Sequence, residues 1–191
     1  MTRSCFLVLL LTLSTVVSAQ GNGFDYNYLE ASYHRADFDS LNADGDGFGL
    51  GGSIALSKNF HLFGSYAGQD IDSSADADGW NIGLGLNKSL TSLMDLLVQV
   101  SYQTTEVNSP VVGRTDNDGF GLRAGVRVGA NEWIEVFGGL SYYDLDSGNE
   151  TALDGGFLLN ISQAFSIGVS GRWDDDVSVL SLNGRLYFGS R

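Results

Sequence analysis

Residues Asp118–Gly129, DGFGLRAGVRVG, decide how the chain folds. Phe120, Leu122, Ala124, Val126 and Val128 take every second position, and the positions between them hold only glycine, Arg123 or Arg127. A period of two marks a β-strand with one apolar and one polar face. If the apolar face meets lipid, both guanidinium groups must point into a wet interior, because hydrocarbon rejects a charge.

The alternation recurs along the chain. Phe48, Leu50, Ile54 and Leu56 oppose Gly47, Gly49, Gly51, Ser53 and Ala55; Trp80, Ile82, Leu84 and Leu86 oppose Asn81, Gly83, Gly85 and Asn87. Ten runs of this kind are expected, over 26–36, 46–57, 60–70, 79–88, 95–105, 119–129, 133–143, 153–162, 165–173 and 178–188. Short links at 57–59, 88–94, 130–132 and 163–164 alternate with longer ones around 37–45, 71–78, 106–118 and 144–152; the link at 174–177 is short. A returning phrase, Asp46-Gly-Phe, Asp78-Gly-Trp, Asp118-Gly-Phe and Asp154-Gly-Gly-Phe, marks the repeat. Such a period also suits solenoids and propellers. Each repeat here holds two runs, however, which fits one hairpin and not a four-stranded blade.

Arg3, the apolar run Phe6–Leu13 and the triplet Val17-Ser18-Ala19 have the layout of a secretory signal. The expected organisation is a signal peptide over 1–19 and a single barrel domain over 20–191. The only cysteine, Cys5, falls within the signal, so the mature chain has no disulfide and no cysteine site. With 10 basic against 23 acidic residues and a net charge of −13, the chain repels nucleic acid and anionic surfaces. Its 26 glycines, one proline and 43% hydrophobic content exclude collagen-like and disordered readings. No apolar run after the signal reaches the roughly 18 residues that a membrane helix needs.

The fold class expected is all-β: an up-and-down antiparallel transmembrane barrel of ten strands, with eight as the alternative. Bacterial barrels of this kind have an even strand number. A soluble barrel would turn its apolar face inward and a membrane barrel turns it outward, and the height of the aromatics separates the two. Tyr33, Phe48, Tyr66, Trp80, Tyr102, Phe120, Tyr142 and Trp173 stand on the apolar faces next to the longer links, as a girdle at one interface would. Phe60, Phe165 and Phe188 sketch a second ring at the other. The opposite parity assigns Glu30, Arg123, Arg127, Glu135, Arg172 and Arg185 to the lumen, with Asp95. A three-residue turn at Ala130-Asn131-Glu132 would set Arg127 directly opposite Glu135 as a cross-strand ion pair.

The stretches YNYLEASY (Tyr26–Tyr33), ADGDGFGLGGSIALSKNFHLFGSY (Ala43–Tyr66) and DADGWNIGLGLN (Asp76–Asn87) resemble a family of small gammaproteobacterial outer-membrane barrels, porin-like proteins formerly labelled a sulfation-dependent quorum factor. The likeness is strongest over 26–87 and rests on pattern beyond. It implies an outer-membrane barrel and brings no catalytic residues; the signalling label is not carried over.

Catalysis is not expected. The two histidines, His34 and His61, fall at opposite membrane levels, and no serine or second acid accompanies either in a recognisable motif. The acids crowd the longer links, with Asp144, Asp146, Glu150, Asp154 and Asp174–Asp176 among them. Asp44, Asp46, Asp72, Asp76 and Asp78 offer hard oxygen ligands for Ca²⁺ or Mg²⁺. No link follows the twelve-residue calcium pattern, so a solvated, self-repelling rim is the plainer reading and no resident cofactor is expected. Asn149 and Asn160 head glycosylation triplets read as coincidence. The expected partners are outer-membrane lipid and lipopolysaccharide, with the barrel a monomer. The expected role is structural or surface-interacting, from a mostly filled lumen. The alternative is a narrow porin-like channel, weakly anion-selective because lumen arginines outnumber lumen acids.

Overall fold

The computed structural model describes residues 24–38, 43–71, 75–109 and 113–188; the signal segment 1–19 and Asp72 lie outside the described residues. Ten strands follow in chain order: β1 (Tyr28–Phe38), β2 (Ala43–Ala55), β3 (Phe60–Ile71), β4 (Ala75–Thr91), β5 (Met94–Ser109), β6 (Gly113–Gly129), β7 (Ile134–Leu145), β8 (Gly148–Asn160), β9 (Phe165–Trp173) and β10 (Val177–Tyr187). Each pairs antiparallel with its sequence neighbours, and β1 pairs with β10 to close the barrel. Closure pairs the backbone groups along the body of every strand, which an open sheet cannot do.

The parity of each strand runs as its sequence alternates. Leu50, Ile82, Leu84, Val100, Leu122 and Leu140 are exposed on the outside, while His61, Arg127, Ser141, Ser166 and Asn183 are buried inside. This inverts the burial of a soluble protein: the greasy side chains face outward and the charged ones are enclosed.

The links expected to be long are largely strand. β4 begins at Ala75, β5 runs to Ser109, β6 begins at Gly113 and β8 at Gly148, so paired backbone continues past the point where apolar alternation stops. Hydrogen-bond pairing does not require an apolar face, and above the apolar band both faces of a hairpin are polar. The first described residues also differ from expectation: β1 starts at Tyr28, and Phe24–Asn27 turns inward across the short-turn end of the barrel. Asn27 Oδ1 accepts from the Ala55 amide at 3.0 Å, and its carbonyl accepts from Phe188 N at 3.1 Å, tying that segment to β2 and the end of β10.

Three short-side turns share one construction. Leu56 N and Ser57 N both donate to Phe60 O, Ala130 N and Asn131 N to Ile134 O, and Ile161 N and Ser162 N to Phe165 O. The second residue of each turn closes it with a side-chain oxygen: Asn131 Oδ1 accepts from Trp133 N at 2.8 Å and Ile134 N at 2.9 Å. Ser57 Oγ accepts from Asn59 N and Phe60 N, and Ser162 Oγ from Ala164 N. Side chains that mimic a backbone acceptor in this way favour tight turns. The β6–β7 turn therefore centres on Glu132 and not Asn131. Gly129 is opposite Glu135, and Arg127 is opposite Phe137. The expected register was two residues out.

Candidate functional site

The site is the lumen together with the two rims. Arg127 and Glu135 meet despite the shifted register, as a diagonal pair: Nε donates to Oε1 at 2.6 Å and the terminal NH2 to Oε2 at 3.0 Å. Their side chains are 7% and 6% exposed. Arg127 is also wrapped by the inturned segment, with its guanidinium 4.9 Å from the Phe24 ring centre and 4.7 Å from that of Tyr26, and it donates to Asp25 O at 3.3 Å. Tyr26 donates its hydroxyl to Asp95 at 2.9 Å and stacks on His61 at 4.8 Å. Beside this layer, Arg185 pairs with Glu30 at 2.7 Å and lies 4.1 Å over the Tyr28 ring.

A hydrogen-bonded chain crosses the lumen at the next level. His61 Nδ1 donates to Asn87 Oδ1 at 3.3 Å; since that oxygen can only accept, Nε2 is the ring acceptor and takes the Gln99 amide at 3.2 Å. Gln99 Oε1 accepts from Arg123 at 3.1 Å, and Arg123 grips Asp154 with two bonds of 2.8 and 2.5 Å. Asn87, His61, Gln99, Arg123 and Asp154 come from β4, β3, β5, β6 and β8, so the chain spans from one wall to the opposite one. Nearer the long-hairpin rim, Arg172 bonds Glu150, lies 3.6 Å from Asp174 and sits 4.8 Å over the Tyr143 ring.

The lumen glycines do not leave empty space; they seat neighbouring side chains. A Cβ on Gly83 would fall 2.5 Å from the Phe63 ring, and one on Gly85 would collide with the His61 imidazole. Rings laid flat over strand glycines are a recurrent way to keep such strands packed. A cavity of about 200 Å³ persists among Tyr28, His61, Gln99, Arg123, Arg127 and Arg185.

These contacts correct two expectations. Asp154 and Glu150, counted with the rim, serve the lumen. With them each of Arg123, Arg127, Arg172 and Arg185 holds a carboxylate, and Asp95, bound by the Tyr26 hydroxyl, is one lumen acid more. The argument for anion selectivity therefore loses its basis. Tyr26 and Asp154 are the lumen residues that sequence reasoning missed; Gln99 lies on the polar face of its strand, as alternation implied. Asp154 was recoverable from parity, since it sits an even number of residues from inward-facing Leu158 on the same strand.

On the outside, the eight aromatics Tyr33, Phe48, Tyr66, Trp80, Tyr102, Phe120, Tyr142 and Trp173 point away from the lumen. The register places Tyr33 opposite Phe48, Tyr66 opposite Trp80, and Tyr102 opposite Phe120. Ring centres lie 5.2 Å apart for Tyr33–Phe48, 5.8 Å for Trp80–Tyr102 and 5.5 Å for Tyr102–Phe120. Two hydroxyls reach up to acids just above, Tyr66 to Asp78 at 2.5 Å and Tyr102 to Asp118 at 3.1 Å. Trp133, 61% exposed, stands with Phe60 and Phe188 at the short-turn end; the run expected from 133 made it the first residue of a strand, whereas β7 starts at Ile134 and Trp133 lies in the turn. Above the eight aromatics, Asp44 holds the exposed Arg35 at 2.7 Å, an interaction that strengthens the guanidinium's grip on its proton. Among the described residues no three histidine or acidic side chains stand close enough to hold a metal ion, Asp44, Asp46, Asp76 and Asp78 included.

No protein-family model and no curated protein matches the chain. Solved structures do. The KdgM porin in complex with disordered oligogalacturonate superposes with a TM-score of 0.50 at 8% identity, over 84% of this chain and 99% of that one. The KdgM porin alone gives 0.48 at 12% identity, over 83% and 99%. Ail, the attachment invasion locus protein of Yersinia pestis, gives 0.37 at 15% identity, over 84% and 94%. The fold is that of a porin-like outer-membrane β-barrel.

Proposed function

We propose that the chain is a small, monomeric, non-enzymatic barrel of the outer membrane, of the gammaproteobacterial family it resembles, that acts at the envelope surface and not through an open pore. The observation that carries this reading is the succession of paired charges and rings across the lumen, from the Phe24–Tyr26 segment and Arg127–Glu135 through Arg123–Asp154 to Arg172–Glu150. A pore of this width would need those layers moved aside. In this reading the outward leucines and valines contact acyl chains, the tyrosine and tryptophan rings sit among the headgroups of phospholipid and lipopolysaccharide, and the acid-rich hairpins face the exterior. Planar-bilayer recording of refolded protein tests it. Silent membranes are expected, and a stable unit conductance would replace the filled barrel with a channel.

A narrow channel is the second reading. It is favoured by Ser65 and Thr105, inward-facing yet exposed, which leave the upper lumen hydroxyl-lined and open. The porin of like fold was solved with oligogalacturonate, so a polar sugar is the first solute to try. Arginines already paired to carboxylates predict weak ion selectivity.

A further inference from the structure

A closed barrel has no free strand edge within its wall, but this one acquires an edge above it. β5 and β6 remain paired up to Ser109 opposite Gly113, whereas β6 and β7 part at Gly119 opposite Leu145. One bond extends the β6–β7 contact, Asp146 N donating to Asp118 O at 2.9 Å, and the Asn117 side chain exchanges hydrogen bonds with Ser147 just beyond it. Then β7 turns back, its hairpin ending at Gly148. On the other side of the extension β4 stays paired with β3 up to Ala75 opposite Ile71, so the step occurs on the β6 side. From Asn117 to Gly113 about 13 Å of β6 backbone has, among the described residues, a paired strand on one side only, taking about 3.3 Å per residue.

The direction of the unpaired groups follows from that one bond. The N–H and C=O of a strand residue point to the same side, and alternate residues share it. Asp118 turns its carbonyl towards β7, so Asp116 and Arg114 direct their backbone N–H and C=O the same way, where the described residues offer no strand to meet them. Unpaired edges of this kind accept an added strand. The side chains around the edge choose its chemistry. Asp116, Asp118, Asp144 and Glu106 share the outward face with a single base, Arg114, which is already committed to Glu106 at 2.7 Å and Asp116 at 3.4 Å. A second barrel in the same membrane would present its β6 in parallel, with Asp116 beside Asp116, and like charges oppose that pairing.

We propose that the β6 edge over Gly113–Asn117 is a docking site for an extended polypeptide segment bearing lysine or arginine, which joins the sheet as an added strand. The inference rests on the surface role above and gives it a partner class. The probe is a labelled peptide of alternating lysine and threonine, added to the full chain refolded in detergent micelles. Fluorescence anisotropy is expected to show saturable binding, lost about tenfold or more in affinity in Asp116→Pro, because proline removes an edge donor without breaking a β5–β6 bond. Asp116→Asn keeps the amide and is expected to weaken binding less. Amide exchange on the wild-type protein reads the same edge without a variant: Arg114 and Asp116 exchange fast when free and slowly with peptide bound, while Thr115 and Asn117 are protected throughout. Binding that Asp116→Pro leaves intact, a glutamate–threonine peptide binding as well as the basic one, no binding of the basic peptide, or self-association through β6 would each overturn the proposal. Heat-shifted gel mobility on the same sample confirms a folded barrel, so failure of the edge is distinguishable from failure of the barrel.

Discussion

Arg127 is enclosed by Glu135, two aromatic rings and a backbone carbonyl, with almost none of its side chain in contact with solvent. A buried cation in this position depends on its carboxylate, and removing one partner of such a pair costs more than the pair contributes. Glu135→Ala is expected to lower stability by about 2–4 kcal/mol, read as a fall in the urea midpoint of refolding titrations; an unchanged midpoint contradicts the pairing. At Gly85 the constraint is steric. Gly85→Ala drives a methyl into the His61 ring, and its expected cost is about 1–3 kcal/mol, measured in the same titration. Which strand residues enter the lumen was legible from parity alone. Which of them touch was not, because long arginine side chains reach diagonally: Arg127 finds Glu135 although the residue opposite it is Phe137.

At the scale of the element, the turns set register. Asn131 replaces a missing backbone acceptor for Trp133 and Ile134, and Asn131→Ala removes both bonds at an exposed site. The expected loss is about 0.5–1.5 kcal/mol, with faster amide exchange at Ile134 than at Val136; equal protection at both would deny the turn its role. Alternation located all ten strands but misjudged their outer ends. Apolar periodicity records the height of the apolar band and not the length of the hydrogen-bonded ladder, so β6 was read from 119 although it is paired from Gly113. The shared construction of the turns at Ser57, Asn131 and Ser162 was present in the residues, each with a short side-chain acceptor in second place. Counted as the three residues 130–132 instead of the five, 130–134, that separate Gly129 from its partner Glu135, the β6–β7 turn carried the register error.

For the molecule as a whole, closure and the inverted distribution of polarity follow from one pattern repeated ten times, and both are readable in the sequence. The inturned Phe24–Asn27 segment was not, since Tyr26 at the start of an alternating run looks like more strand until Arg127 is seen between it and Phe24. The account depends most on what the outward leucines touch. The sole cysteine, Cys5, lies in the expected signal, so single cysteines can be placed at will in the mature chain. A nitroxide at Leu84→Cys, outside, and another at Ser101→Cys, inside, in protein refolded into liposomes, report solvent directly by spin relaxation. The label at 84 is predicted to respond to oxygen dissolved in the bilayer and to be shielded from a water-soluble nickel chelate, with the label at 101 insensitive to the bilayer. A monomer folded in plain buffer, with the label at 84 sheltered from both reagents, would contradict the account.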